Sequence, residues 1–424
     1  MKEIKQEKPK VFFKTFGCRT NLYDTQIMRE NLGEFDHTLE EECAQVVVIN
    51  SCTVTNGADS GVRSYVRKVR GMGKSVVFAG CGVKTQGRAL FDKGLVDGVL
   101  GHSHKESIAQ ALDKLAQGEK FFYEDSLEHL DSTIVSEFVG KSRAFIKIQE
   151  GCDFACSYCI IPSVRGKSRS LPLKQIVRQV QVLVDSGVQE VVLTGTNVGS
   201  YGRDSNSSLP KLLRALFALD GLKRVRIGSL EPSQIDEEFC ELLAHSKLER
   251  HLHIALQHSH NAMLALMNRA NRFESDYELL HKVAALDYAI GTDYIVGHPG
   301  ESEKIWEQAL SNVRTLPLTH IHPFVYSVRS GTASASMGDR VNGTLAKERL
   351  HSLNTHIQEA NLIFRQKRMA QNKPLQVLIE KQLGDVYVGL DEHFNKIFIE
   401  SKQDLGRWVE IVEYEIKEHN YAKI

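Results

Sequence analysis

Gly151-Cys152-Asp153-Phe154-Ala155-Cys156-Ser157-Tyr158-Cys159 sets three cysteines at C-x3-C-x2-C spacing, directly after an apolar run over 144–149. The spacing puts three thiols on one short loop. A four-iron, four-sulfur cluster takes one thiolate per iron, so a three-thiol loop holds it and leaves one iron open to a further ligand. A structural zinc site needs four protein ligands. Asp153 is constrained by the loop's own geometry and no C-x2-C follows nearby, so iron is the better match.

Outward from this loop, strand-like and helix-like runs alternate. Strands are predicted over 144–149, 190–194, 224–228, 252–256, 291–296 and 320–326, with helices near 173–186, 209–219, 235–245, 277–289 and 303–316. Six strands with five intervening helices predict a partial parallel (β/α) barrel, whose functional residues gather at the carboxyl ends of the strands.

Upstream, 11–16, 45–50, 75–79 and 96–100 read as strands, with helices near 22–35 and 58–70, an open parallel α/β sheet. Cys18, Cys52 and Cys81 each stand two residues past one of these strands. The carboxyl ends of parallel strands share one edge, where ligands bind. Gly17, Gly80 and Gly82 flank the cysteines and fit tight turns. Three thiols from three turns thus point to a second metal or cluster site. Cys43 and Cys240 have no cysteine neighbours in sequence and read as small apolar residues.

At roughly 100–200 residues per domain, 424 residues suggest about three. The expected division is 11–125, a polar linker at 126–142, 143–345, a helical connector at 346–370 ending in Arg365-Gln366-Lys367-Arg368, and 371–424. In the last segment, short runs at 375–380, 386–390, 397–400 and 408–414 read as a small β-barrel. Lys+Arg equals Asp+Glu at 53 each, which excludes a globally basic nucleic-acid binder but not local basic patches. No apolar run approaches the roughly 18 residues of a membrane span. The charged stretch 1–10 lacks the apolar core of a signal peptide. A cytoplasmic monomer without membrane contact is expected.

The cysteine loop, with an aromatic (Tyr158) before its last cysteine, resembles the radical S-adenosylmethionine enzymes. In that family the open iron chelates the amino and carboxylate groups of S-adenosylmethionine, and an electron from the cluster cleaves the sulfonium to a 5′-deoxyadenosyl radical. Longer words are similar to the methylthiotransferases within it: Thr15-Phe16-Gly17-Cys18-Arg19-Thr20-Asn21, Asn50-Ser51-Cys52-Thr53-Val54-Thr55, Gly80-Cys81, Arg165-Gly166 with Ser168-Arg169-Ser170, Thr292 through Glu301, and Tyr326-Ser327 with Gly331-Thr332. The resemblance runs from about residue 11 to the C-terminus, where the β segment looks like the family's RNA-binding TRAM domain.

The resemblance implies two [4Fe-4S] clusters, one on Cys152, Cys156 and Cys159 and an auxiliary one on Cys18, Cys52 and Cys81. One S-adenosylmethionine gives the methyl group, another the radical, and a methylthio group replaces the hydrogen of an unreactive C–H bond. No Ser-His-Asp or paired-carboxylate constellation is required for this, and none is evident. The cofactor is expected at Tyr158, at Thr194, Gly195 and Thr196 for the methionine amino group, and at Ser229 and Glu231 for the ribose. Arg165 reads as facing a carboxylate or phosphate. A flavodoxin-like or ferredoxin-like protein would donate electrons.

Three branches of the family share this plan. They modify isopentenyladenosine in tRNA, threonylcarbamoyladenosine just 3′ of the anticodon in tRNA, or an aspartate of a ribosomal protein. The words Cys18-Arg19-Thr20-Asn21, Asn50 through Thr55 continuing to Ala58-Asp59, and Thr196-Asn197-Val198-Gly199-Ser200-Tyr201-Gly202-Arg203-Asp204 resemble the threonylcarbamoyladenosine branch. A tRNA anticodon stem-loop is then the expected partner. Cations available for phosphate are Arg63, Arg67, Lys68 and Arg70, and Arg365, Lys367 and Arg368. From residue 369 onward 7 Lys+Arg face 10 Asp+Glu, net −3, so any RNA grip by the tail must be local, through Lys381, Lys396 and exposed aromatics such as Tyr387 and Phe394.

Overall fold

The computed structural model describes residues 9–138 and 142–424; the start of the charged N-terminal stretch (1–8) and the last residues of the predicted linker (139–141) lie outside the described residues. Among the described residues no helix is long and apolar enough to cross a membrane.

The first unit runs β1 Lys10–Thr15, α1 Arg19–Glu30, β2 Asp36–Thr38, β3 Val46–Ser51, α2 Asn56–Gly71, β4 Ser75–Gly80, α3 Arg88–Asp92, β5 Gly98–Leu100, α4 Ile108–Ala116 and β6 Phe121–Tyr123. All pairs are parallel, in the order β2-β1-β3-β4-β5-β6. β3 is Val-Val-Val-Ile-Asn-Ser and every residue is buried, as a central parallel strand covered on both faces requires. α2 buries Val62, Val66 and Val69 at helical spacing, and the Thr55 hydroxyl caps it by accepting from the Ala58 N–H. β2 and β6 are edge strands of three residues each, too short to show a period-2 pattern in the sequence.

The middle unit runs β7 Ala144–Glu150, α5 Ile161–Arg165, β8 Arg169–Ser170, α6 Leu173–Asp185, β9 Glu190–Gly195, α7 Leu209–Phe217, β10 Arg224–Ile227, α8 Glu237–Leu242, β11 His251–His253, α9 Asn261–Leu266, α10 Phe273–Ala284, β12 Ala289–Val296, α11 Glu303–Thr315 and β13 His320–Val325. β7, β9 and β10 pair in parallel, as do β11, β12 and β13. Parallel bridges Val225–Leu248 and Leu230–Ile254 join the two groups. Six parallel strands therefore form one arc, which among the described residues stays open between β7 and β13. The helix expected at 277–289 begins earlier and stops at Ala284, because Ala289 and Ile290 are taken into β12.

α12 Gly343–Ala370 packs along β13 and leads to β14 Leu375–Leu383, β15 Val386–Leu390, β16 Lys396–Glu400, β17 Trp408–Ile411, β18 Glu415–Ile416 and β19 Asn420–Lys423. These form one curled sheet, β17-β14-β15-β16-β19-β18, mostly antiparallel with β16 and β19 parallel. It is a half-barrel, with β17 and β18 left at the edges.

The units share a core. Tyr23 and Ile27 of α1, and Val135 and Phe138 of the irregular segment before β7, sit in the same apolar cluster as Ile146, Val192 and Leu213. Burying four such side chains from outside the barrel contributes about 1.5–3 kcal/mol each before the cost of ordering them.

Candidate cluster sites and cofactor pocket

Cys52 and Cys81 follow β3 and β4 directly, and Cys18 precedes α1, so all three stand at the carboxyl edge of the first sheet. The turns touch: a Cβ on Gly17 would lie 2.6 Å from Cys52 Cβ and 2.8 Å from its Sγ. Gly17 (φ +96°) and Gly80 (φ +87°) are in the left-handed region. Asn21, in the first turn of α1, ties the turns together. Its Nδ2 donates to Phe16 O (2.8 Å) and Ser51 O (2.9 Å), and its Oδ1 lies 3.9 Å from Cys81 Sγ. Burial pushes the Cys81 thiol up to about 12, and the Cys18 and Cys52 thiols add to the push.

A Cβ on Gly80 would lie 2.3 Å from Asn50 Oδ1 and 2.5 Å from Ser51 O. Gly80→Ala should therefore cost more than the about 1–2 kcal/mol of a left-handed alanine alone. The expected result is a lowered melting temperature and loss of about half of the bound iron, one of two four-iron clusters, with 5′-deoxyadenosine formation retained. Iron titration and product chromatography check it.

Arg165, on the short helix after the second cysteine loop, is fully buried and reaches the first trio. Its Nε donates to Cys81 Sγ at 3.3 Å, and its terminal nitrogens donate to Glu150 Oε1 (2.5 Å), Asn21 Oδ1 (2.6 Å) and Asp24 Oδ2 (2.9 Å). Beside it Lys147 Nζ stands 2.6 Å from both Asp24 and Asp131 and 2.9 Å from Glu150, and Lys105 pairs with Asp131 at 2.6 Å. Asp24 comes from α1, Asp131 from the segment before β7, and Lys147 and Glu150 from β7. Burial raises the carboxyls of Asp24 and Glu150, but Lys147, Lys105 and Arg165 outweigh it and hold both well below the usual carboxylate range. The sequence left Arg165 open to a carboxylate or a phosphate; it meets two carboxylates and a thiol.

The second loop leaves β7 through Gly151, where φ is +77° and a Cβ would lie 1.8 Å from Lys167 O. Cys152 N–H donates to Gly166 O at 3.0 Å, which folds the loop against its return strand. Asn197 Nδ2 lies 3.6 Å from Cys152 Sγ, and Arg269 reaches Cys156 Sγ at 3.9 Å. Burial pushes the Cys159 thiol up to about 12, with Cys156 and Cys152 adding to it. Cys81 packs against Ile160 and Val164, so the two thiol trios lie on adjoining turns.

The positions assigned to S-adenosylmethionine fall around this loop. The Tyr158 ring packs on Met263, Met267 and Ile295. Thr194 and Gly195 end β9, and the Thr196 hydroxyl accepts from the Gly151 N–H at 3.2 Å. Glu231 is held by Arg269, with Nη1 to Oε1 at 2.7 Å. Ser229 is exposed on the strand-end loop. Sequence reading missed the polar chain behind them: Gln234 Nε2 donates to Asn197 Oδ1 (2.8 Å), and Gln149 Oε1 accepts from Asn197 N (2.8 Å). Asn197 stands within the run Thr196 to Asp204; Arg269 and Gln234 stand in stretches with no metal-ligand or nucleophile pattern.

Both trios suit a cuboidal cluster. Each offers three thiols on neighbouring backbone, glycines where a Cβ would intrude, and N–H donors or a guanidinium aimed at sulfur, which stabilise thiolate charge. When bound, such clusters with S-adenosylmethionine supply a 5′-deoxyadenosyl radical and the sulfur to be transferred.

Four expected RNA contacts are corrected. Tyr387 is buried in the core of the tail sheet, because β15 is its central strand. Phe394 is turned into the barrel, stacked on His251 at 4.9 Å and beside Arg226 at 5.3 Å. Arg365 and Arg368 are also buried: Arg365 donates to Asn420 and Lys417 O, and Arg368 pairs with Asp287 and Glu392, fastening α12 to the tail and barrel. Lys68 and Arg70 pair with Glu41 and Asp97. Arg67, Lys381 and Lys396 are exposed.

The fold and the thiol loop define a radical S-adenosylmethionine enzyme. Residues 146–313 match the Radical SAM superfamily, and residues 10–101 match Uncharacterized protein family UPF0004. A chain of Helicobacter pylori (strain J99 / ATCC 700824), whose name places it among the methylthiotransferases and gives no substrate, is 58% identical over 97% of this chain and 99% of its own. The threonylcarbamoyladenosine tRNA methylthiotransferase MtaB of Aquifex aeolicus (strain VF5) is 32% identical over 95% of this chain and 100% of its own. The chain belongs to the radical S-adenosylmethionine methylthiotransferases, transferases that use S-adenosylmethionine and [4Fe-4S] clusters. The radical S-adenosylmethionine methyltransferase TsrM from Kitasatospora setae, with cobalamin and a [4Fe-4S] cluster bound, shares the fold at a TM-score of 0.60 and 15% identity, over 78% of this chain and 77% of that one.

Proposed function

We propose that the protein adds a methylthio group to N6-threonylcarbamoyladenosine next to the anticodon of tRNA. Cys152, Cys156 and Cys159 hold the cluster that binds S-adenosylmethionine, and Cys18, Cys52 and Cys81 hold the auxiliary cluster. The observation that carries this reading is Arg165. It lies six residues past Cys159 and hydrogen-bonds Cys81, so one buried side chain fixes the two thiol trios against each other. Tyr158, Thr196 and Glu231 border the open side of the radical loop, where the cofactor's methionine and ribose ends would lie.

The threonylcarbamoyl group is supported by the Cys18-Arg19-Thr20-Asn21 word and by relatives at 32% identity that carry that substrate in their names. Other relatives, at 30–31% identity, are named tRNA-2-methylthio-N(6)-dimethylallyladenosine synthase. The test must therefore separate two adenine substituents. In tRNA nucleosides from a deletion strain, the methylthiolated threonylcarbamoyladenosine should vanish and its unmodified precursor should rise. Loss of the methylthiolated isopentenyl nucleoside instead would overturn the reading.

A further inference from the structure

Within the arc of the middle unit, β11, β12 and β13 present one inward face. Their register sets His253 opposite Gly291 and Asp293 opposite His322. His253 Nε2 lies 3.1 Å and His322 Nδ1 3.6 Å from the same Asp293 oxygen. The His322 side chain is 58% exposed and that of Asp293 23%, so the array opens onto solvent rather than closing a core. Burial opposes ionisation of Asp293, but hydrogen bonds from the two histidines outweigh it and keep the carboxyl well below its usual range.

Arg19 enters the same space. It follows Cys18 at the start of α1 and is half-buried. The Phe394 ring that it covers is stacked on His251, whose ring lies 6.5 Å from that of His253, which places Arg19 within the arc of strands. Among the described residues it makes no hydrogen bond and no ion pair; its one close partner is the face of Phe394 at 5.8 Å. The neighbouring cations Arg165 and Arg226, by contrast, each meet two carboxylates within 2.9 Å. A half-buried guanidinium without a protein partner among the described residues, beside a partly exposed carboxylate–histidine array, is poised for an anion from outside the chain.

Resting on the substrate reading above, we propose that Arg19 and the Asp293–His253–His322 array form the specificity pocket for the amino acid carried on N6 of the target adenine. Arg19 takes its carboxylate in a forked pair, and Asp293, oriented by the two histidines, accepts its hydroxyl or carbamoyl N–H. An isopentenyl group offers none of these atoms. Seated there it would cover Arg19 without pairing it and would give Asp293 nothing beyond its two histidines, the kind of mismatch by which polar sites reject apolar analogues.

The test is binding, without turnover, of anticodon stem-loop RNAs to the iron-loaded protein in the absence of S-adenosylmethionine. The loops carry threonylcarbamoyladenosine, its carboxamide analogue, isopentenyladenosine or adenosine. The wild type should prefer the threonylcarbamoyl loop over plain adenosine by about tenfold or more, the scale of a hydrogen bond to a charged group, and should lose most of that preference with the carboxamide. Arg19→Gln should bind the acid and the amide alike. Asp293→Asn, on a strand remote from Cys18, should also weaken the preference, with iron content unchanged. If the wild type prefers the acid and Arg19→Gln keeps that preference in full, the pocket is wrong and the substrate reading stands. If the wild type prefers the isopentenyl loop, or shows no preference, the substrate reading falls and the pocket with it.

Discussion

Cys152→Ala is expected to release about half of the protein's iron, four of roughly eight atoms for two clusters, and to abolish 5′-deoxyadenosine formation on anaerobic reduction with S-adenosylmethionine. Cys152 is partly exposed at the mouth of its loop, and its thiol meets the Phe154 backbone N–H and the Asn197 amide. Alanine removes a ligand without opening a core cavity, so the thermal transition of the metal-free chain should barely move. Cys52→Ala makes the mirror case. The same fraction of iron should leave, but radical generation should persist, because the remaining trio holds the site that binds the cofactor. If Cys152→Ala keeps its full iron, the ligand assignment to this loop is wrong. Iron assay, absorbance near the charge-transfer bands and chromatography of the cleavage product decide between these outcomes.

Lys147→Met should have the largest effect on stability, a loss of about 3–5 kcal/mol, the range for breaking a buried ion pair from one side. Lys147 Nζ is the common partner of Asp24, Asp131 and Glu150, all buried. Methionine matches its volume but leaves three carboxylates facing one another with only Lys105 and Arg165 to answer them. The same knot predicts acid sensitivity. The Asp24 and Glu150 carboxyls are depressed in the folded state, so their contribution is complete above the ordinary carboxylate pKa and is lost as pH falls through and below it. Wild-type stability should drop as the pH is lowered from neutral into that range, and Lys147→Met should flatten the slope. Urea denaturation at neutral and acid pH measures both; an unchanged midpoint for Lys147→Met would remove the knot from the account of stability.

Much of this architecture was legible in the residues. The buried run of β3, the Val62-Val66-Val69 stripe and the strand-end cysteines each carry a local signature: an apolar run, a period, or a reactive side chain at a turn. What was illegible depends on partners far away in sequence. Asn21 matters because Phe16, Ser51 and Arg165 converge on it, the last 144 residues away. Arg365 and Arg368 looked like a basic patch because nothing nearby neutralises them; their partners lie on the tail sheet and on Asp287. Phe394 looked like an exposed hairpin aromatic because the barrel it enters is built from strands more than 60 residues earlier. The edge strands β2 and β6 and the two-residue β8 were missed because three residues or fewer show no alternation.

The knot around Lys147 and Arg165 also bears on how this chain can be recombined with its kin. Its charges come from α1, from the segment between β5 and α4, from the loop before β7, from β7 and from the helix after the thiol loop. A chimera that exchanges the first sheet alone would inherit half of an ionic lock and leave the other half without its key. Substrate choice is therefore transplantable between relatives only if Asp24, Lys105, Asp131, Lys147, Glu150 and Arg165 travel as one set.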